Sequence, residues 1–497
     1  MSEQAQNHPA HAVPPWLVRV VRQPGPRPLF ERAEAAVPGG AKLVALAVAV
    51  AGAVVVPVDR PGIGWVLALL IAAGVLLACA KLRGRQERTA KARRWRQAAW
   101  ALMAIALLAV GALRAAEWLF ALCAAGAAAT ASLAVVGKRT VHGTTYDVLA
   151  VPLEAFRAVP WLLRRRPRPG GQRGRVLGAV LLSGLVLVVF LPLLISADPR
   201  FAQFVGDLVP EVRPGSVVQA ALVFVVAFAA MAAVFLISTE PLPERENRRT
   251  TLGDRLSWTS SLGTLAVVFT AYVGVQATAL FGGTDYVLRT DGLTSADYAR
   301  GGFWQLCVCT VLTLGIVAAA LRWAPKATRA DRTVLRALLG ALTVLSLVVV
   351  LSALSRMWTY QQAYGFTVLR LLVEVCEIWL GVVFVLIGAT LGTLRPGWLP
   401  RAAIAAAALA LLGLAAANPE AAIADANLDR AAQGKPLDVR YLSRFSADVA
   451  PVVASRRPDA ACLLRPLAHS LPDDAWPAWN WSRSRAREII RSGPLCV

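Results

Sequence analysis

Arg370, Glu374 and Glu377 stand at i, i+4 and i+7 of one run, which puts all three on one face if the run is a helix. The run, residues 366–391, is otherwise apolar. Carboxylates there have no water to solvate them and are either paired or functional. In one reading, Arg356 and Arg370 neutralise Glu374 and Glu377 and lock helices together. In the other, the stripe lines a cavity open to the outside, and the carboxylates bind a proton, a cation or a polar headgroup. The preceding segment, RMWTYQQAYG at 356–365, reads as a turn that adds Arg356, Tyr360 and Tyr364. Tyr272 and Gln276, four apart on an earlier apolar run, belong at the same outer level and could face the stripe.

The solvent around these residues follows from composition. Hydrophobic residues make up 57% of the 497 and charged residues only 16%, against roughly a quarter charged in soluble domains. The formal charge of +22 does not read as a nucleic-acid footprint, because the basic residues lie between apolar runs rather than on one folded face. They read as membrane orientation signals. Apolar runs of spanning length fall near 41–57, 62–80, 97–114, 117–136, 176–196, 218–238, 259–281, 303–322, 333–355, 366–391 and 400–417. In lipid each segment must satisfy its own backbone, so the expected fold is all-α, a polytopic bundle of about 11 spans.

Connections after the even-numbered spans carry 8, 9, 4, 4 and 2 Lys and Arg, and those after the odd-numbered spans carry 1, 1, 2, 2 and 1. Cytoplasmic loops hold the excess. This places the N-terminus in the cytoplasm and the C-terminal tail outside a plasma membrane. The parts expected are a disordered tail over 1–40, a four-helix part over 41–136, a basic loop over 137–175, a seven-helix core over 176–417 and an extracytoplasmic helical tail over 418–497. In the basic loop, the apolar stretch 146–163 followed by Arg164, Arg165, Arg166 and Arg168 fits a helix lying on anionic lipid. The same arginines read equally well as topology signals alone.

The tail has turn and helix signals of its own. Asn418-Pro419 starts a helix that Gly434 stops, and a second helix over about 438–455 would put Leu442, Phe445, Val449 and Val452 on one face. That stripe should pack on the tail itself or on the outer surface of the membrane part. Trp476, Trp479 and Trp481 suit the headgroup level or the filling of a covalent loop. Cys462 and Cys496, the two cysteines outside the apolar runs, suggest a disulfide in an oxidising compartment, with free thiols as the alternative. Cys79, Cys123, Cys307, Cys309 and Cys376 lie inside spans as small packing residues. No metal site is expected: Cys307 and Cys309 have no His or carboxylate near them in sequence, and the four histidines are scattered. No cofactor is expected either.

Outer loops supply further candidates. SADP at 196–199 turns the chain with Asp198, and Thr294 with Asp297 has capping-box spacing for a helix carrying Tyr298 and Arg300. Taken in order, SADPRFA at 196–202, YVGVQATALFGG at 272–283, GLTSADYARGGFWQL at 292–306 and RMWTYQQAYGFTVLR at 356–370 resemble an uncharacterised bacterial membrane-protein family, the domain of unknown function (DUF) 4173, and its relative, number 4153. The resemblance covers roughly 176–450 and implies an integral membrane protein whose outer polar cluster is shared; it transfers no activity.

No phosphate-binding loop, zinc-protease helix or nucleophile elbow occurs. The expected role is therefore a non-catalytic binding, assembly or signalling protein at the outer face. A secondary transporter using the Arg/Glu stripe is the alternative, and a lipid-modifying enzyme the third.

Overall fold

The computed structural model describes residues 59–82, 91–136, 254–281, 303–456 and 473–492, with isolated positions at 48, 52, 55–57, 151, 225, 226, 229, 232, 233, 464, 467 and 471. The architecture is an all-α polytopic membrane bundle carrying a helical tail. Its long helices are α1 (Ile63–Leu82), α2 (Lys91–Leu113), α3 (Glu117–Val136), α4 (Arg255–Phe281), α5 (Phe303–Trp323), α6 (Arg329–Tyr364), α7 (Val368–Leu391) and α8 (Leu399–Ala417). Among the described residues, seven helices are long and apolar enough to cross a membrane, by length and composition. The expected spans at 41–57, 176–196 and 218–238 lie largely outside the described residues, as do Asp198, Tyr298, Arg300, Cys462, Cys496, the side chain of Gln276 and the basic run Arg164, Arg165, Arg166 and Arg168.

The helices pack as two groups. Helices α1, α2, α3 and α8 form one and α4, α5, α6 and α7 the other, with α7 at the seam. One face of α7 sends Val383, Phe384 and Ile387 into a core with Leu262, Val317, Leu321, Leu339 and Leu342. Its other side puts Leu371, Leu372 and Val375 against α2, α3 and α8, and the Trp379 indole donates to the Ala403 carbonyl at 3.0 Å. Many other large apolar side chains are exposed on the bundle surface, among them Val267, Val311, Leu351 and Val385. Burying them in lipid satisfies them; in water they would form a continuous exposed apolar belt.

Local signals explain the helix ends. Asp254 accepts the Ser257 amide at 3.1 Å, so α4 begins at Arg255 rather than near 259. Thr328 and Asp331 close a reciprocal capping box at 3.0 and 2.9 Å, starting α6. Helix α6 then runs for 36 residues, about 54 Å at 1.5 Å per residue, and overshoots a hydrocarbon core of about 30 Å. The segment expected to be a turn, 356–364, is therefore its last turns. The chain reverses only at Gly365, whose φ of +89° suits glycine.

The tail begins at Asn418, itself left-handed at φ +51°, and continues through α9 (Pro419–Ala432), α10 (Val439–Leu442), α11 (Ala450–Arg456) and α12 (Trp481–Ser492). Helix α9 starts and stops where Asn418-Pro419 and Gly434 require. The continuous helix expected over 438–455 is instead α10, a 3₁₀ turn at Ala447–Val449, and α11. The break has a physical cause. The amide and hydroxyl of Ser446 both donate to Glu420, at 2.7 and 2.6 Å, which holds the backbone out of the helix. Leu442, Phe445 and Val449 still share one core, joined by Val453 rather than Val452, and it packs on Ala115, Phe366, Val368 and Leu371 of the membrane part.

Candidate functional site

Two polar regions stand out, one at the junction of tail and bundle and one inside the bundle. At the junction, the tail satisfies the backbone groups that a helix end leaves orphaned. Asp448, 1% exposed, accepts the amides of Ala115 and Ala116 at 3.0 Å and so caps the start of α3. Asn480, fully buried, donates to the carbonyls of Gly111 and Arg114 at the end of α2, at 2.9 and 2.7 Å. Arg430, also buried, donates to Gln362 and Ala363 at the end of α6, at 3.3 and 2.8 Å, and Lys435 adds a bond to Gln362 at 3.0 Å. Burial and the neighbouring Arg370 hold the Arg430 guanidinium below its usual range. The Tyr441 hydroxyl accepts the Val368 amide at the start of α7, at 2.8 Å. Asn427 pairs with both backbone groups of Phe366, at 3.0 and 2.9 Å. Arg114 in turn caps α8 through Ala415 and Ala416, at 2.7 and 3.0 Å.

Arg483 extends the same scheme to α1. It donates to the Pro61 carbonyl at 2.9 Å and pairs with buried Asp474 at 2.9 Å, and Arg487 reaches the same carboxylate at 2.9 Å. The Ile63 amide donates to the Trp479 carbonyl at 3.0 Å. Glu420, 4% exposed, closes the network by accepting from the Trp118 indole at 2.9 Å and from Ser446. Burial pushes its carboxyl up, while the Ser446 and Trp118 donors pull it down.

These contacts put the connections 59–62, 114–116 and 365–367 on one face together with the tail. The opposite face carries Arg255 with Asp331 at 3.6 Å, and Arg336 capping Leu391 and Gly392 at 3.0 and 2.8 Å. The arginine-poor connections that are described thus share the tail's face, the grouping that alternating loop charge requires. Trp476, Trp479 and Trp481 are exposed on this face, where the Trp479 carbonyl meets the start of α1.

Inside the bundle, the stripe is divided. Arg370 turns toward the tail: it donates to the Gly365 carbonyl and lies over the Tyr360 ring at 4.4 Å. Tyr364, exposed, meets the Tyr360 ring at 4.9 Å with the two planes tilted by 47°. With Arg356 these tyrosines stand at i, i+4 and i+8 of α6, so they form one face of a helix rather than a loop cluster. Glu377, 2% exposed, lies beside the Cys307 thiol of α5, and Tyr272, Cys307, Tyr360 and Val373 surround the adjoining apolar cluster. Glu374 is half-buried one turn nearer the tail, approached by the Gln361 carboxamide, whose Nε2 nonetheless closes no well-formed hydrogen bond. Among the described residues, neither glutamate forms an ion pair with Arg356 or Arg370. Of the two readings of the stripe, the neutralising one thus has no ion pair among the described residues behind it. Cys307 and Cys309 gather no metal-ligand set, and no group of three or more potential ligands occurs among the described residues.

Sequence reasoning missed Asp448, Asn480, Glu420 and Arg483. A carboxylate and an asparagine next to short helical turns were the signals available, and their helix ends lie more than 300 positions away.

No curated protein and no solved structure matches the chain. Residues 102–455 match the family described as Domain of unknown function (DUF4153), the second of the two related groups that the loop motifs resemble. The match runs from α2, past the last span, to the end of α11, so it takes in the half of the tail that carries Glu420, Arg430, Tyr441 and Asp448. Most of the chain is covered by that match, and the chain belongs to the DUF4153 family.

Proposed function

We propose that this is a plasma-membrane protein with a cytoplasmic N-terminus and an external tail, acting without catalysis as a binding or assembly component at the tail face. The observation that carries the reading is the capping network. Buried tail side chains cap α2, α3 and α6 directly, half-buried Tyr441 caps α7, and Arg483 and the Trp479 carbonyl hold the start of α1. Alternating access would need gates that open on this side, and a cap shared by so many helix ends opposes independent movement. Asp448, Asn480, Arg430 and Asn427 are taken up in holding the tail to the bundle. Arg440, Arg444, Trp476 and Arg485 remain exposed for an envelope component. The loop arginines at 164–168 would hold anionic lipid on the opposite side, and a bond between Cys462 and Cys496 would close the end of the tail.

The test replaces the exposed face and leaves the caps intact. Mild-detergent extracts of the full chain, run on native gels, should show an assembly larger than the free chain. The combined change Arg440→Glu, Arg444→Glu, Trp476→Ala and Arg485→Glu should reduce it to the free chain without moving the unfolding midpoint. A wild type that already migrates as the free chain, or a variant that migrates as the wild type does, contradicts the reading.

A further inference from the structure

The described residues contain four buried polar side-chain atoms with no hydrogen-bond partner: Ser346 Oγ, Gln361 Nε2, Glu377 Oε2 and Asn418 Oδ1. Three of the four lie on α6 and α7, between helices that pack face to face inside the apolar part of the bundle. A buried polar atom left without a partner costs free energy wherever it lies. At the tail junction, by contrast, equally buried carboxylates each receive several donors. Ser346 lies about four turns away along α6 and Asn418 in the tail, but Gln361 Nε2 and Glu377 Oε2 flank Glu374 and mark a place where a partner belongs.

The chemistry of the set identifies that partner. Glu374 and Glu377 are three residues apart on one helix, so they lie on adjacent turns. Among the described residues no ion pair reaches either glutamate, and Arg370 faces the Gly365 carbonyl and the Tyr360 ring instead. The remaining described groups from the surrounding helices are Cys307 on α5, Cys376 on α7 itself, Tyr360 and Gln361 on α6 and Tyr272 on α4, and none of these is a cation. Two carboxylates so close in a low-dielectric setting do not both remain bare. One positive charge between them resolves the repulsion and the orphaned Oε2 together. Gln361 can assist, since a carboxamide presents its oxygen as readily as its nitrogen.

We propose that Glu374, Glu377 and Gln361 form an intramembrane site for one small monovalent cation, a proton or a sodium ion, at the α6–α7 seam. The inference stands apart from the tail-face reading, and either can fail without the other. A divalent metal is a poor fit, because the neighbouring thiol and carboxamide add no further fixed charge and no group of three ligands is present among the described residues.

The probe is dicyclohexylcarbodiimide, an apolar reagent that modifies protonated carboxyls within membranes, applied to the purified full chain in liposomes and read by peptide mass. Labelling is expected at Glu377 or Glu374, and the total on these two positions should fall in Glu377→Gln while circular dichroism and elution volume stay unchanged. If the cation is a proton, the rate falls about tenfold per pH unit above the carboxyl's titration and is indifferent to salt. If it is sodium, labelling is lost in sodium chloride but not in choline chloride. The proposal is overturned if neither glutamate is labelled at pH 6 when detergent-unfolded protein is, or if labelling depends on neither pH nor sodium.

Discussion

Glu420 and Glu377 are the same residue type, almost equally buried, and treated in opposite ways by their surroundings. Glu420, at the junction of tail and bundle, receives an indole N–H, a backbone N–H and a hydroxyl. Glu377, among the apolar helices, has one carboxyl oxygen with no partner at all. The difference separates two uses of buried polarity. A carboxylate whose lone pairs are all taken is a fastening, and removing it strands its donors. A carboxylate left short of partners adds nothing to the fold, so its presence needs another cause. The same division runs through the two regions around them: Asp448, Asn480 and Arg430 are fastenings, while Gln361 and Ser346 share the shortage of Glu377.

That contrast can be broken at several points, and the largest effect belongs to Glu420. Glu420→Leu should lower unfolding stability by about 3–5 kcal/mol, because the Trp118, Ser446 amide and Ser446 hydroxyl donors all lose their acceptor in a buried site. Thermal unfolding in detergent, followed by circular dichroism, measures it. Asp448→Ala should cost about 3 kcal/mol by uncapping α3 and stranding the amides of Ala115 and Ala116, and Asp448→Asn should recover part of that loss. A smaller change for the alanine variant than for the asparagine variant would remove Asp448 from the fastenings.

Gly365→Ala comes next, at about 1–2 kcal/mol. A Cβ there would stand 2.8 Å from Arg430 Nη1 and 2.9 Å from Asn427 Oδ1, at a φ of +89°. Limited proteolysis should then cut between 418 and 456 sooner than in the wild type, since the lost contacts are those that dock the tail. Smallest of all is the effect on stability of removing the intramembrane carboxylate.

Much of this fold was legible in the chain because lipid imposes a simple rule. Uninterrupted apolar runs near 97–114, 117–136, 303–322, 366–391 and 400–417 became α2, α3, α5, α7 and α8, with ends shifted by a few residues and, at the start of α2, by six. The errors fell where polar residues continue a helix. RMWTYQQAY looks like a turn by composition, yet it continues α6 to Tyr364 and thereby puts Arg356, Tyr360 and Tyr364 on one face. In the tail, hydrophobic spacing found Leu442, Phe445 and Val449 but not the break between them, which a glutamate 26 positions upstream enforces. The caps were illegible for the same reason, since Asp448 and Ala115 are 333 positions apart and only the folded bundle brings them together. The stripe itself was readable; its partnership was not. Helical spacing put Arg370 in register with Glu374, but the Gly365 carbonyl at the end of α6 takes the guanidinium instead.

The most direct test sets the two glutamates side by side, comparing the unfolding midpoints of Glu420→Leu and Glu377→Leu in the same detergent. The expected result is a large fall for Glu420→Leu and no fall, or a small rise, for Glu377→Leu, because an apolar side chain suits a site that leaves a carboxyl oxygen unpaired. A fall for Glu377→Leu as deep as that for Glu420→Leu would show both to be fastenings, and would contradict the separation of the two regions.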